Sequence, residues 1–561
     1  MTTGRPGHPV ERPAEPPIEG GTQVKNSLVV ARWMIVSRLT GFLRLAAVAA
    51  ILGPTFFGNL VQSALFLPVI SYEVLSGSLC GPLLVPPLMR HVDAKDPRAQ
   101  ERLAGGFLGV VLVALGALVA LLMLAGPLVV RLLTLGVDNA ATRSDLLELG
   151  WPLLVLTLPQ AVLFATAEIG AAVQNAHGVF GRPAAAPVIG NIGVAAVILA
   201  SGIIFGTGTT ASEVGMNQIL FLGIGTTAAI GLQAAAQLAG ARRCGVRLRP
   251  RAGWRDPEVL EIVMVARAAV VQGGVQALRF FAMLVAAGVV AGGVVAFQMA
   301  LTFVFFAAAL GGDAIAISSL PDLSRLHLRQ DKASLLSEWR RVLRLSLFLL
   351  IPMTAYFLAA AFPIAHVVAF GEMNTATGVS LIATSLLALA PAAIGHGGFR
   401  LATQASYAQR DSRSPLVSML VRAGITLVTV AIVATTLDGR TALAVTGLGV
   451  SVADLVGFGC LAYLFERTFR ADIVRPLTRR LDIPSAIAAA TTAGLASLAL
   501  WVIADGLVDG RVGYVIVVGV LGVVTVGVYL LVQRLFDSEA LQDLWSGLFG
   551  SSDAVGKVAT P

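Results

Sequence analysis

The sequence predicts an all-α polytopic membrane protein of fourteen transmembrane helices, built as two six-helix lobes that are parallel repeats, followed by a C-terminal helix pair. Three observations predict it. Of 561 residues, 56% are apolar and only 13% are charged, and the mean hydropathy is +0.82, too oily and too poor in charge for a water-soluble globular chain. The apolar residues fall into stretches of about 20, the length that crosses a hydrocarbon core. The second half also repeats the first at an offset of about 235 residues.

The duplication is ordered. Ala31-Arg32 followed by Leu43-Arg44 returns as Ala266-Arg267 followed by Leu278-Arg279, and Pro86, Leu88 and Arg90 return as Pro321, Leu323 and Arg325. Gly77 and Gly81 face Gly312 and Ala316, small residues one turn apart that read as close helix packing. Pro127 meets Pro363 and Pro183 meets Pro415 after small changes in loop length. Duplicated halves of this kind are the build of alternating-access transporters, with the substrate site where the repeats face each other.

Taken in order, residues 1–26 are rich in proline and charge without an apolar run and read as a disordered cytoplasmic tail, not a cleaved signal peptide. The N-lobe, 27–241, holds spans near 27–52, 58–82, 105–133, 149–173, 184–206 and 216–240. A basic cytoplasmic linker, 242–257, leads to the C-lobe, 258–470, with spans near 260–288, 293–319, 342–368, 378–399, 416–436 and 442–464. The last pair, near 484–504 and 512–534 within 471–535, has no counterpart in the duplication. In the tail 536–561, Leu541, Leu544, Trp545 and Leu548 recur at helical spacing and predict a short interfacial helix.

Loop charge sets the orientation. Arg90, Lys95, Arg98 and Arg102 lie between spans 2 and 3, and Arg242, Arg243, Arg247, Arg249, Arg251 and Arg255 between spans 6 and 7. Arg325, Arg329, Lys332, Arg340 and Arg341 follow span 8, and Arg467, Arg470, Arg475, Arg479 and Arg480 follow span 12. Loops near 53–57, 207–215, 289–292 and 369–377 contain no Lys or Arg. This alternation places both termini in the cytoplasm of a multi-pass protein. The net charge of +8 belongs to these loops; no basic run is interleaved with aromatics, which argues against nucleic acid as a partner. Cys80, Cys244 and Cys460 stand singly without metal-ligand spacing, so no metal is expected.

An ionisable residue inside a membrane costs about 2.5–3.5 kcal/mol on insertion scales and is functional by default. Span 1 holds Arg32, Arg38 and Arg44. Six residues of helix turn by about 240°, so a straight helix aims the three apart. A bend at Gly41 would turn Arg38 and Arg44 toward one cavity, while Arg32 is close enough to the cytoplasmic end to snorkel. The second repeat keeps Arg267 and Arg279 but has Gly273 where Arg38 stands. If both lobes line a central cavity, Arg38, Arg44 and Arg279 make its wall cationic and suited to a phosphate headgroup. The competing reading is structural pairing with Glu73, Glu168, Asp313 or Asp454, the same acids through which a proton or cation would couple.

The run Ser37-Arg38-Leu39-Thr40-Gly41-Phe42-Leu43-Arg44 resembles the S-R-x-x-G-F-x-R first-helix signature of the MurJ (MviN) lipid II flippases. Leu65-Phe66-Leu67-Pro68 resembles that family's second helix. The stretch Asn175-Ala176-His177-Gly178-Val179-Phe180-Gly181-Arg182-Pro183 is similar to its N-x-x-G-x-F-x-x-P element, and Tyr407-Ala408-Gln409-Arg410-Asp411-Ser412-Arg413-Ser414-Pro415 to its Y-A-x-G-D-T-R-T-P element. The resemblance, over roughly 27–535, implies the MOP exporter fold with its lobes in a V around a central cavity. It also implies movement of an undecaprenyl-pyrophosphate-linked peptidoglycan precursor across a bacterial plasma membrane, with membrane lipids and cell-wall synthesis proteins as partners. Arg38 and Arg44 match the family's cavity arginines. Asn59 stands where an acid is usual, Tyr72 beside Glu73 where an arginine is usual, and Thr302 where span 8 usually has an arginine. Two alternatives therefore stay open: another lipid-linked oligosaccharide as cargo, or cation-coupled multidrug export within the same superfamily.

No catalytic residues are expected: the outer loops are short and hold no clustered carboxylates, so a transporter is favoured over a glycan polymerase or ligase. No cofactor is expected either. The Gly556-Lys557 pair misses the Walker A spacing, which leaves ion coupling or membrane potential as the energy source.

Overall fold

The computed structural model describes residues 20–75, 80–469, 482–508, 510–536 and 538–542, and among them every regular element is helical. The N-lobe comprises α1 (Gly20–Leu52), α2 (Phe56–Leu75), a π turn (Cys80–Leu84), α3 (Val85–Asp93), α4 (Pro97–Leu124), α5 (Gly126–Leu133), α6 (Ala140–Thr157), α7 (Gln160–Ala176), α8 (Gly181–Phe205) and α9 (Met216–Arg243). The C-lobe repeats this order with α10 (Pro257–Gly288), α11 (Gly293–Ala308), a second π turn (Ala309–Asp313), α12 (Ala314–Leu328), α13 (Lys332–Val368), α14 (Ala376–Leu389), α15 (Ala392–Ala408), α16 (Arg413–Thr436) and α17 (Gly439–Phe469). The additional pair is α18 (Asp482–Ala504) and α19 (Gly510–Leu535).

Local chemistry explains the boundaries. Asp96 and Asp256 each stand before a proline at the first helical position and accept a backbone N–H, from Ala99 at the head of α4 and from Glu258 at the head of α10. Asp331 caps α13 by accepting from Ser334 N. Pro159 and Pro391 stand between paired helices, α6 with α7 and α14 with α15, because proline cannot donate to the preceding turn. The α14–α15 break bends the chain by 47°. A π turn follows the second helix of each lobe, so the duplication extends to this irregularity as well.

Among the described residues, twelve helical segments are long and apolar enough to cross a membrane, or thirteen when the bent α14–α15 pair is counted as one span. The remaining expected span corresponds to α2, which is long enough but carries Asn59, Gln62, Ser63, Ser71, Tyr72 and Glu73. Its polar side chains meet protein at the seam between the lobes, which explains why hydropathy alone does not distinguish it. The N-terminal tail is shorter than expected, since α1 already begins at Gly20. Gly77, the arginines of 470–480 and the residues Leu544, Trp545 and Leu548 lie outside the described residues.

Candidate functional site

The lobes meet at a seam where α2 of the first repeat packs on α11 and the turn before it in the second. At the end whose loops near 53–57, 207–215, 289–292 and 369–377 lack Lys and Arg, Asn59 of α2 donates through Nδ2 to Val290 O at 2.6 Å and accepts through Oδ1 from Val294 N at 3.0 Å. The amide therefore satisfies both the end of one C-lobe turn and the start of α11. Gly292 N donates to Thr55 O at 3.1 Å, and a Cβ on Gly292, whose φ is +74°, would lie 2.3 Å from Pro54 Cα. Only glycine fits that approach. One turn deeper, Gln62 Nε2 donates to Gln298 Oε1 at 2.6 Å. Beside this seam Gly371 packs on Ala50 and Glu372 packs on Gly53, while Thr207 Oγ1 donates to Glu372 Oε1 at 2.6 Å. The seam is closed at this end.

At the basic end the start of α10 is tied to the N-lobe. His91 lies 2.9 Å from Glu258, Arg102 lies 3.1 Å from Asp256, and Arg251 of the linker lies 3.4 Å from Glu101. Gly273 lies where α10 crosses the end of α2: a Cβ there would meet Val74 O at 2.9 Å and Glu73 O at 3.1 Å. The missing counterpart of Arg38 therefore has a steric cause, because the backbone of α2 occupies the place of its side chain.

The first-helix arginines are not gathered by a break in the helix. α1 is continuous through Gly41, and Asn191 of α8 fills the place beside that glycine, donating to Ser37 O at 3.2 Å. At about 100° per residue, Arg38 lies about 40° around the helix from Phe42, and Arg44 about 160° from it. Phe42 meets Phe303 of α11 edge to face at 6.2 Å, so Arg38 points toward the seam and is exposed. Arg44 is half-buried on the opposite side and forms no hydrogen bond or ion pair among the described residues. Arg32 stacks on Trp33, and Arg267 donates to Met264 O of its own helix.

Arg279, the repeat partner of Arg44, has a different environment. It is 2% exposed, donates through Nε to Thr426 at 3.1 Å and pairs with Asp454. Arg422 of α16 donates to the same carboxylate oxygen at 2.7 Å and lies against Phe399 at 4.1 Å, and His396 is 3.6 Å from the other oxygen. Four helices of the C-lobe converge on this cluster, in which Arg279, Arg422 and Asp454 are buried. Asp454 is thereby claimed by two guanidinium groups.

The other predicted residues scatter. Asp313 pairs with Arg400 of α15, and Arg400 lies within electrostatic reach of the exposed Glu73. Glu168 of α7 is half-buried and has no hydrogen bond or ion pair among the described residues. Tyr72 is half-buried with its ring 6.0 Å from Phe164, and Thr302 turns back to Gln298 O of its own helix. Sequence reasoning missed Arg422, His396 and Arg400, although each lies within an apolar stretch and the same rule about intramembrane charge applies to them. It also missed Gln62 and Gln298, polar residues inside the second helix of each repeat. No cluster of His, Cys, Asp or Glu suited to a metal occurs among the described residues.

A family model described as lipid II flippase MurJ matches residues 48–508. A probable lipid II flippase MurJ of Vibrio cholerae serotype O1 is 25% identical over 405 residues, covering 70% of this chain and 74% of that protein. A protein of the same description from Rhizobium tropici is 24% identical over 400 residues, covering 70% and 72%. Among solved structures, the lipid II flippase MurJ in an inward closed conformation superposes with a TM-score of 0.69 at 16% identity, covering 92% of this chain and 99% of that one. An inward-facing multidrug MATE transporter of the MOP superfamily gives 0.60 at 14% identity, covering 78% and 97%. At these identities the two structures speak for the fold alone.

Proposed function

The chain belongs to the lipid II flippase MurJ family, and we propose that it moves an undecaprenyl-pyrophosphate-linked peptidoglycan precursor from the inner to the outer leaflet of a bacterial plasma membrane by alternating access. The observation that carries this reading is the seam: the second helices of the two repeats meet through Asn59 against Val294 and Gln62 against Gln298, and are closed at one end. In this reading all fourteen segments span the membrane with the lobes in a V, the basic end faces the cytoplasm, and both termini lie there. The seam opens at alternate ends as the lobes rock.

Arg38 is the first contact for the pyrophosphate in this scheme, because it is exposed and directed toward the seam. Arg44 supplies a second cation, one with no hydrogen bond or ion pair among the described residues. Arg279 supports the C-lobe scaffold instead of touching cargo, since its guanidinium is already paired. Asn59 acts on cargo only indirectly, by holding the seam, while Tyr72 offers a neutral surface near Glu73. The lipid tail stays in the bilayer along α18 and α19. Neither ATP nor a cofactor enters the scheme; membrane potential acting on a moving charge supplies about 2.3 kcal/mol per 100 mV, and Glu168 and Glu73 are the acids left for a coupling ion. Cell-wall synthesis proteins are the natural partners of such a flippase.

Cation-coupled drug export is the weaker reading, because Asp454, the most buried acid among the described residues, is neutralised by two arginines and is not available to a cationic drug. Liposomes containing the purified protein test the proposal. Labelled lipid II should become accessible in the opposite leaflet, and the rate should collapse when Arg38→Ala and Arg44→Ala are combined. Transport of other undecaprenyl-pyrophosphate glycans but not lipid II would reassign the cargo.

A further inference from the structure

The C-terminal helix pair lies outside the duplication, yet it reaches the closed end of the seam. Arg511, in the first turn of α19, donates through Nη2 to Ala369 O and lies over the ring of Phe370 at 4.2 Å. Ala369 is the C-cap of α13, so the cation satisfies a carbonyl that the helix leaves open. A second fastening lies one turn away: Tyr514 of α19 stacks on His366 of α13 at 4.2 Å with an interplanar angle of 5°, and Trp501 of α18 flanks Tyr514 at 6.1 Å. The segment held in this way continues directly into the N-lobe contact. A Cβ on Gly371, at φ +51°, would lie 2.3 Å from Ala50 O, and Glu372 packs on Gly53 and accepts from Thr207. Three consecutive residues, Phe370, Gly371 and Glu372, thus connect the helix pair to the N-lobe.

We propose that the C-terminal helix pair controls the gate at the closed end of the seam, with Arg511 as the positioning residue that presses the 369–372 segment onto the N-lobe. A displacement of α18 and α19, such as a lipid chain entering beside them would cause, withdraws Arg511 from Phe370 and frees Gly371 and Glu372 from Ala50, Gly53 and Thr207. The seam at Asn59 then loses the brace beside it, and the lobes are free to rock apart at this end. This inference rests on the alternating-access reading, but it concerns gating and is silent on the identity of the cargo.

The test reads the gate directly. In a background carrying Cys80→Ala, Cys244→Ala and Cys460→Ala, a reporter Thr302→Cys, at a position whose hydroxyl donates to its own helix, is placed one turn beneath the seal, and its rate of modification by a membrane-impermeant maleimide is followed in oriented proteoliposomes. Arg511→Ala should raise that rate by about tenfold, as expected from losing a cation–π contact together with a charge-assisted hydrogen bond. Arg511→Lys, which keeps a donor for Ala369 O, should give an intermediate rate. Phe370→Leu removes only the ring and should also raise the rate, which keeps the test decisive if Arg511→Ala fails to fold. Unchanged labelling in folded Arg511→Ala and Phe370→Leu proteins overturns the proposal. Because the readout is labelling, a failure of lipid II transport in the same vesicles would count against the proposed function and leave this result standing.

Discussion

Gln62 and Gln298 hydrogen-bond amide to amide at 2.6 Å although they are 236 residues apart. The bond crosses the seam between α2 and α11, the second helices of the two repeats. Removing one partner strands a buried amide at a cost of about 1–3 kcal/mol, whereas removing both is far milder. Gln62→Leu and Gln298→Leu should each lower thermal stability in detergent, and the double substitution should be less damaging than their sum. Simple additivity would mean that the two amides are not coupled.

Asn59 uses both ends of its amide on the C-lobe backbone, so its replacement reports on the closed state. Asn59→Asp keeps an acceptor for Val294 N but, when ionised, faces Val290 O with no donor. A carboxylate facing a carbonyl oxygen opposes closure, because neither group can donate. Labelling of a cysteine beneath the seal should be faster in Asn59→Asp than in the parent, and equal rates would mean that the Val290 contact does not hold the seam.

The fold was largely legible in the sequence, because bilayer spans and a duplication leave strong signals. Position, however, did not predict environment. Arg44 and Arg279 match in the repeat, yet one is half-buried without a partner and the other is enclosed by Asp454 and Thr426. The difference arises from α16 and α17, which bring Arg422 and Asp454 against Arg279, and no spacing along the chain announces that convergence. Similarly, Asn59 looked like a cavity residue by family position, but its neighbours are backbone groups 231 and 235 residues away.

Asp454 is the anchor of the C-lobe cluster, and two guanidinium groups lose their counter-charge if it is neutralised. Asp454→Asn should destabilise the lobe by about 3–5 kcal/mol, the usual effect of leaving buried charge uncompensated. Adding Arg279→Met should recover part of that loss by removing one of the stranded cations. Thermal unfolding of the single and double variants measures it. A double variant less stable than Asp454→Asn would show that Arg279 contributes more than its charge.

Gly273 and Arg38 hold the same place in their repeats, and the two reciprocal substitutions should fail for different reasons. Gly273→Arg forces a long side chain into the backbone of α2 at Val74, so it should disturb folding or lobe approach before any cargo binds. Arg38→Gly leaves the seam intact, because Arg38 is exposed, and removes only a cation directed at the passage. Its defect should appear as weakened capture of the pyrophosphate, with normal thermal stability. Arg38→Lys should recover only part of the rate, because an ammonium group cannot reproduce the bidentate grip of a guanidinium on phosphate oxygens. Lipid II transport measured against cargo concentration separates the cases: a loss overcome by more cargo places Arg38 in binding, and a loss that persists at saturation assigns it to the motion of the lobes.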